Sequence, residues 1–416
     1  MKTEYKNSIS NALYLLLVQG VNYLIPLIIL PYLLKVLGPE KYGIIGLGQA
    51  FVQYFILIVE FGFNLSAVKR VALHRYDPEK LSVIFWSTLG AKCILCAFCF
   101  LLHMLLVHTV PLFQVHSQVL NVFFLMVIGN VLFPIWFFQG IGKMRLLAVV
   151  NFLVRLSILP IILVYVKKPS DYVLAAQLQS MVYLLSGLLS FIFIFWFKYV
   201  KFSPISIKTM LAEAKESWLV FVSSAAINVY TSSFVVILGF FATTTAIGYY
   251  TAAERVMRVS CYLIAAPLSQ AFFPKISELV VSNRSKAIDM LWVVLKITIL
   301  SMSAVAVCLF FLGGLVTKLL GESYHNCIYL LKIMCLVPLL IGLGGVLGQL
   351  GLLAFGEKEM YAKAYLITGA CSIVLVFVLT YMFKEVGTAW ALLATELIVV
   401  GLLAKYARDG IFKKQF

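Results

Sequence analysis

Six basic side chains sit inside long apolar runs of this sequence: Lys92, Arg155, Arg255, Arg258, Lys296 and Lys332. Three acids share those runs, Glu60, Glu254 and Glu396. A charge in the middle of such a run costs at least about 2.5–3.5 kcal/mol on the most lenient insertion scale. Cations in excess of acids therefore need a local partner or an anionic visitor. Arg258 has a local partner in Glu254 one turn earlier, and Lys296 and Lys332 lie near run ends, from which a long stem can carry the charge outward. Arg155 and Lys92 lie deeper and have no acid within a helical turn. These cations read as the lining of a path for an anionic substrate, with Arg155 and Arg255 its leading members. The three acids are either static partners of the cations or groups that couple transport to an ion.

Uncharged polar residues recur in the same runs at helical spacing. Gln19 and Asn22 precede Pro26; Gln49 and Gln53 precede Glu60 and Asn64; Asn228 lies between Ser224 and Thr231; Thr251 leads to Arg255, Arg258 and Tyr262. Each set falls on one helix face, as expected of a solvated interior surface or of hydrogen bonding between helices. Cys93, Cys96 and Cys99, with His103, have the look of a metal-binding helix. Their spacing rotates around the helix instead of converging on one ion, so they read as packing and no metal is expected. The glycines between Gly342 and Gly351 allow close helix approach or a hinge, because no strand-to-helix turn accompanies them to cradle a phosphate. No nucleophile and base stand together and no nucleotide-binding loop is present, so neither an enzyme nor a bound cofactor is expected.

The elements that position these residues follow from composition. Of 416 residues, 62% are hydrophobic and 12% charged, against about a quarter charged in soluble domains. The chain has too little polar surface to fold in water and reads as an all-α integral membrane protein. A span needs about 20 apolar residues, and twelve segments qualify: 9–34, 44–67, 81–107, 119–139, 147–166, 172–197, 218–241, 247–273, 290–315, 326–354, 365–383 and 388–404. The first is too long for a signal segment and reads as a retained span. With both termini in the cytoplasm, the outer loops hold only Lys35, Lys41, Lys167, Lys168, Lys318 and Lys384, whereas the inner loops hold most of the remaining basic residues. That asymmetry fixes the orientation and accounts for much of the net charge of +16.

The longest hydrophilic stretch, 198–217, divides the chain into a six-helix lobe at 1–197 and a second at 218–416. Equal, even halves suggest a parallel repeat. Gly43 and Gly248, Lys69 and Lys275, and Pro134 and Pro338 recur at nearly the same offset. Polar stripes on the first two spans of each half would then face a cavity between the lobes.

Several linked blocks resemble one known family. Val18-Gln-Gly-Val-Asn-Tyr-Leu-Ile-Pro26, Leu30-Pro-Tyr32, Leu37-Gly-Pro-Glu-Lys-Tyr-Gly43, Val59-Glu-Phe-Gly-Phe-Asn-Leu65, Phe133-Pro-Ile-Trp136, Phe138-Gln-Gly140 and Leu392-Leu-Ala-Thr-Glu396 are similar to segments of Wzx O-antigen flippases of the polysaccharide transport family. The resemblance implies the MATE-like fold of the MOP superfamily, with two six-helix bundles around a cleft that opens alternately to each side. It implies a flippase of the bacterial inner membrane that moves oligosaccharide units linked through pyrophosphate to undecaprenol from the cytoplasmic to the periplasmic leaflet. As partners it implies membrane lipids, the O-antigen polymerase and chain-length regulator, and H+ or Na+ as coupling ion, with no nucleic acid. Two rival readings are an ion-coupled multidrug antiporter of the same fold and a membrane-embedded enzyme acting on lipid-linked sugars. An interior richer in cations than acids disfavours the first, and short outer loops without a catalytic acid disfavour the second.

Overall fold

Long apolar segments leave helix as the only way to satisfy each backbone N–H and C=O in a membrane. The computed structural model follows that rule. It describes the backbone of residues 2–204 and 206–412. Side chains are described from Ile28 to Ile411, except at 205, 208, 212, 216, 219, 220, 223, 224, 226, 227, 229, 230, 312, 315–320 and 322. Gln19 and Asn22 lie outside the described side chains. Among the described residues there is no strand, and nine helices are long and apolar enough to cross a membrane. The chain divides into two compact units.

The first unit comprises residues 1–37 and 47–228. It holds most of α1 (Lys2–Glu60), then α2 (Phe63–Leu73), α3 (Pro78–Thr109), α4 (Pro111–Val115), α5 (Ser117–Leu132), α6 (Ile135–Gly140), α7 (Met144–Tyr165) and α8 (Tyr172–Trp196). The expected segment 119–139 breaks where Pro134 cannot continue the helix, and α5 gives way to α6. Two glycines set the tightest helix crossing. A Cβ on Gly129 would lie 2.5 Å from the Tyr183 carbonyl carbon, and one on Gly187 would lie 2.5 Å from the Gly129 oxygen, so α5 and α8 meet backbone to backbone. Tyr32 donates its hydroxyl to the carbonyls of Leu163 and Val166 at 3.0 and 2.7 Å, satisfying acceptors that the end of α7 leaves without helical partners.

The second unit comprises residues 38–46 and 229–416. The start of α9 (Ile207–Phe241) belongs to the first unit and its end, from Val229, to the second. There follow α10 (Thr244–Ser282), α11 (Arg284–Leu320), α12 (Cys327–Met334), α13 (Val337–Gly345), a π-helical stretch at 346–353 and α14 (Lys358–Ala407). Pro338 opens α13 and so interrupts the expected segment 326–354, as Pro134 does in the first unit. At Lys384 the backbone leaves helical geometry (φ 51°, ψ −129°) and α14 folds back, with the Thr380 and Thr388 hydroxyls 2.8 Å apart. The segments at 365–383 and 388–404 are thus two arms of one broken helix. Gly342 packs on Thr298 and Met302, where a Cβ would lie 2.9 and 3.0 Å from them, and Gly348 packs on Tyr361 at 3.0 Å. The glycine run therefore serves close helix approach. Its neighbours Ile276, Leu291, Val294, Leu350, Val399 and Leu403 form the apolar core of this unit.

Candidate functional site

In the first unit the deepest cation is Lys92 on α3, 2% exposed. Its ammonium donates to the Asn130 carbonyl oxygen at 2.9 Å and to Asn130 Oδ1 at 3.2 Å; Asn130 Nδ2 in turn donates to Glu60 Oε1 at 3.1 Å. The Asn130 amide on α5 thus relays a cation on α3 to a carboxylate at the end of α1. Each group meets a partner of the right polarity, which a buried charge requires. Arg155 on α7 is half-buried and donates through Nε to Asn151 Oδ1 at 3.1 Å, an oxygen that also accepts from Ser186 at 3.4 Å. Among the described residues Arg155 is bonded to a neutral amide and makes no ion pair, so its positive charge is oriented without being neutralised. Gln49 Nε2 donates to Gln179 Oε1 at 2.6 Å. Gln53 and Asn228 are exposed and Asn64 is half-buried.

In the second unit, Tyr250, Glu254 and Arg258 follow one another at four-residue spacing on α10. Arg258 donates through Nε to Glu254 Oε1 at 2.9 Å, with its Nη2 2.8 Å from the same oxygen. Glu396, on the second arm of α14, is 6% exposed and within electrostatic reach of Arg258. The Arg258 guanidinium is therefore hydrogen-bonded to Glu254, with Glu396 a second carboxylate within its electrostatic reach. Beside them the Tyr250 hydroxyl is buried and, among the described residues, has no hydrogen-bond partner. Arg255 is exposed, within electrostatic reach of Tyr42. Thr251 is 3% exposed, donates to the Ile247 carbonyl at 2.7 Å and fills the space over Gly46, where a Cβ would lie 2.7 Å from its Oγ1. Lys296 and Lys332 are both exposed, and the Lys332 ammonium lies 5.7 Å from the Phe310 ring centre.

Lys92 with Glu60 form one cluster, and Arg258 with Glu254 and Glu396 form another. Arg155, Lys296 and Lys332 join neither. Cys93 is exposed, Cys96 half-buried and Cys99 buried, as their rotation around α3 dictates. His103 bonds Asn121 at 2.8 Å and packs on Phe124 at 4.8 Å. Among the described residues no three His, Cys, Asp or Glu converge as metal ligands.

The connecting amides Asn130, Asn151 and Gln179 are polar residues that charge counting passes over, although each stands out within an apolar run. A further ion pair joins Arg70 on α2 to Glu213 on α9. Both lie in hydrophilic stretches of the sequence, yet Glu213 is only 5% exposed.

Three comparisons bear on these geometries. The family described as polysaccharide biosynthesis protein matches residues 8–280. A protein of Escherichia coli (strain K12) named "Putative O-antigen transporter" is 34% identical over 403 residues, covering 96% of each chain. Two solved structures superpose with TM-scores of 0.74. One is an inward-facing multidrug resistance MATE family transporter of the MOP superfamily, at 16% identity over 94% of this chain and 95% of that one. The other is the lipid II flippase MurJ in an inward closed conformation, at 15% identity over 94% of this chain and 87% of that one. The chain shares their fold.

Proposed function

Since the chain belongs to the polysaccharide biosynthesis protein family, we propose that it is a non-enzymatic flippase for lipid-linked polysaccharide precursors. In the finer reading it carries oligosaccharide units linked through pyrophosphate to undecaprenol from the cytoplasmic to the periplasmic leaflet of the bacterial inner membrane. The observation that carries this reading is the end-to-end likeness to a protein named as an O-antigen transporter, on a fold shared with a lipid II flippase. Twelve spans in two six-helix bundles, 1–197 and 218–416 joined at 198–217, both termini in the cytoplasm and alternating access through a cationic cavity complete the proposal.

The side chains divide the work by their partners. Arg155, which bonds a neutral amide, and exposed Arg255 are suited to meet pyrophosphate, whose oxygens accept from guanidinium in a bidentate manner. Arg258, held by Glu254, and Lys92, held by Asn130 and Glu60, keep their charge in place for the same potential. Lys296 and Lys332 contribute to it from more exposed positions, and Gln49, Gln53, Asn64 and Asn228 offer hydrogen bonds to sugars. Glu60, Glu254 and Glu396 are the groups through which H+ or Na+ would couple. The prenyl chain has no reason to leave hydrocarbon for a polar cavity.

A clean deletion followed by a lipopolysaccharide gel and quantitation of undecaprenyl-linked units tests the function, with a plasmid copy as rescue control. Loss of the O-chain ladder while lipid-linked units persist is the expected result. An intact ladder with raised drug susceptibility would instead assign the fold to drug export.

A further inference from the structure

The start of α9 meets the first unit through a run of polar contacts and, one turn on, through Phe221 stacked on Phe61 at 4.5 Å with Trp218 beside them. Thr209, Glu213 and Ser217 recur every four residues and so share one helix face. Thr209 Oγ1 accepts from Ser87 at 3.0 Å; Glu213 takes both arms of the Arg70 guanidinium and accepts from Thr88 at 3.4 Å; the Ser217 and Ser66 hydroxyls are 2.5 Å apart. Just upstream, the Lys201 N–H donates to Ser82 at 2.9 Å, and its carbonyl accepts from Trp86 at 2.9 Å.

This seam differs in kind from the α5–α8 crossing, where glycine backbones interlock. Opening interlocked helices creates voids and loses dispersion contacts that nothing replaces. A seam of hydroxyls and one ion pair exchanges protein hydrogen bonds for water when it opens, so this part of the contact costs little to release, and the Phe61–Phe221 stack is its apolar component. Arg70 retains 18% side-chain exposure, which gives water an entry. Removing one partner is another matter, because it leaves the other charge buried alone. The same helix supplies residues to both units.

We propose that the Thr209–Glu213–Ser217 face of α9, clasped by Ser66, Arg70, Ser87 and Thr88, is a releasable latch that must open during each transport cycle. The proposal rests on the transport reading above. In a full-length chain whose eight native cysteines are replaced, Ser66→Cys with Ser217→Cys puts two thiols where two hydroxyls now touch. The protein is reconstituted in vesicles carrying an undecaprenyl-pyrophosphate oligosaccharide, and leaflet exchange is measured after oxidation and again after reduction. The latch predicts exchange at background level when oxidised and recovery on reduction. Exchange at the reduced rate in fully cross-linked protein overturns it. Absence of exchange in the unmodified chain as well would remove the transport reading, and the latch with it.

A second pair of variants keeps the proposal independent of the tether. Arg70→Glu and Glu213→Arg, each alone, are expected to abolish rescue of O-chain display, and the two together to restore it. A double variant no better than the singles overturns the ion pair as the clasp.

Discussion

Asn130 shows how a cation can be stabilised in an apolar interior without touching an acid. Its carbonyl groups accept from Lys92 while its NH2 donates to Glu60, so the two charges compensate through one amide. Asn130→Leu strips both of a hydrogen-bond partner at once. Lys92 keeps the main-chain carbonyl of residue 130, but a lost hydrogen-bond partner for a buried group costs about 1–3 kcal/mol, more for a charged one, so this variant should lose thermal stability in detergent and fall in membrane abundance. Lys92→Met combined with Glu60→Gln and Asn130→Leu should recover much of that loss, because no charge is then left buried. Recovery absent from the triple variant would mean that the amide has another role. Arg155 and Arg255 are the cations proposed to meet the substrate, and on that proposal Arg155→Ala and Arg255→Ala should each impair O-chain display more than Lys296→Ala, at normal membrane levels. Equal display in all three at native expression would remove the cationic path. The pairing of Arg258 with Glu254 was legible from four-residue spacing. The links from Lys92 to Asn130 and from Arg70 to Glu213 bridge 38 and 143 residues, and nothing local marks such partners.

At the scale of elements, hydropathy placed the helices because each must hide a long apolar stretch, and proline placed their breaks. Hydropathy did not show where a polar stretch is itself helical. Residues from Ile207 onward form α9, and Glu213 is buried there because Arg70 and Thr88 meet it. The glycines carry more than the offsets that drew attention to them. Gly43 and Gly248, expected as matching anchors of a repeat, touch each other within the second unit: a Cβ on Gly43 would collide with the Thr244 oxygen and one on Gly248 with that of Pro39. Offset alone could not reveal the contact. A further match emerges at 206 residues, where Asp77 caps α3 and Asn283 caps α11, each accepting from the N–H three residues on at 3.1 and 3.0 Å. Helix packing predicts a contrast between glycines. Gly129→Leu, which drives a side chain into the backbone of α8, should prevent stable accumulation, whereas Gly345→Ala, with nothing within 4 Å of the added carbon, should accumulate normally. Immunoblots of membranes compare the two, and equal levels would contradict the backbone-to-backbone crossing.

At the scale of the whole molecule, the fold is one that moves lipids and drugs in other proteins, and family membership directs this chain toward polysaccharide precursors. Electrostatics agrees with that direction. Within the apolar runs of the sequence cations outnumber acids six to three, which favours an anionic substrate and opposes cationic drugs. Composition made the membrane class evident, and the linked sequence blocks made the family evident; which cations cluster with which acids emerged only from the folded chain. Reconstitution of the purified protein in vesicles with an undecaprenyl-pyrophosphate oligosaccharide, followed by digestion with a membrane-impermeant glycosidase, measures the proposed translocation itself. A flippase carries digestion beyond the fraction initially in the outer leaflet in vesicles that contain the protein, while digestion stops there in vesicles that lack it. Digestion that stops at that fraction in both would contradict the flippase reading.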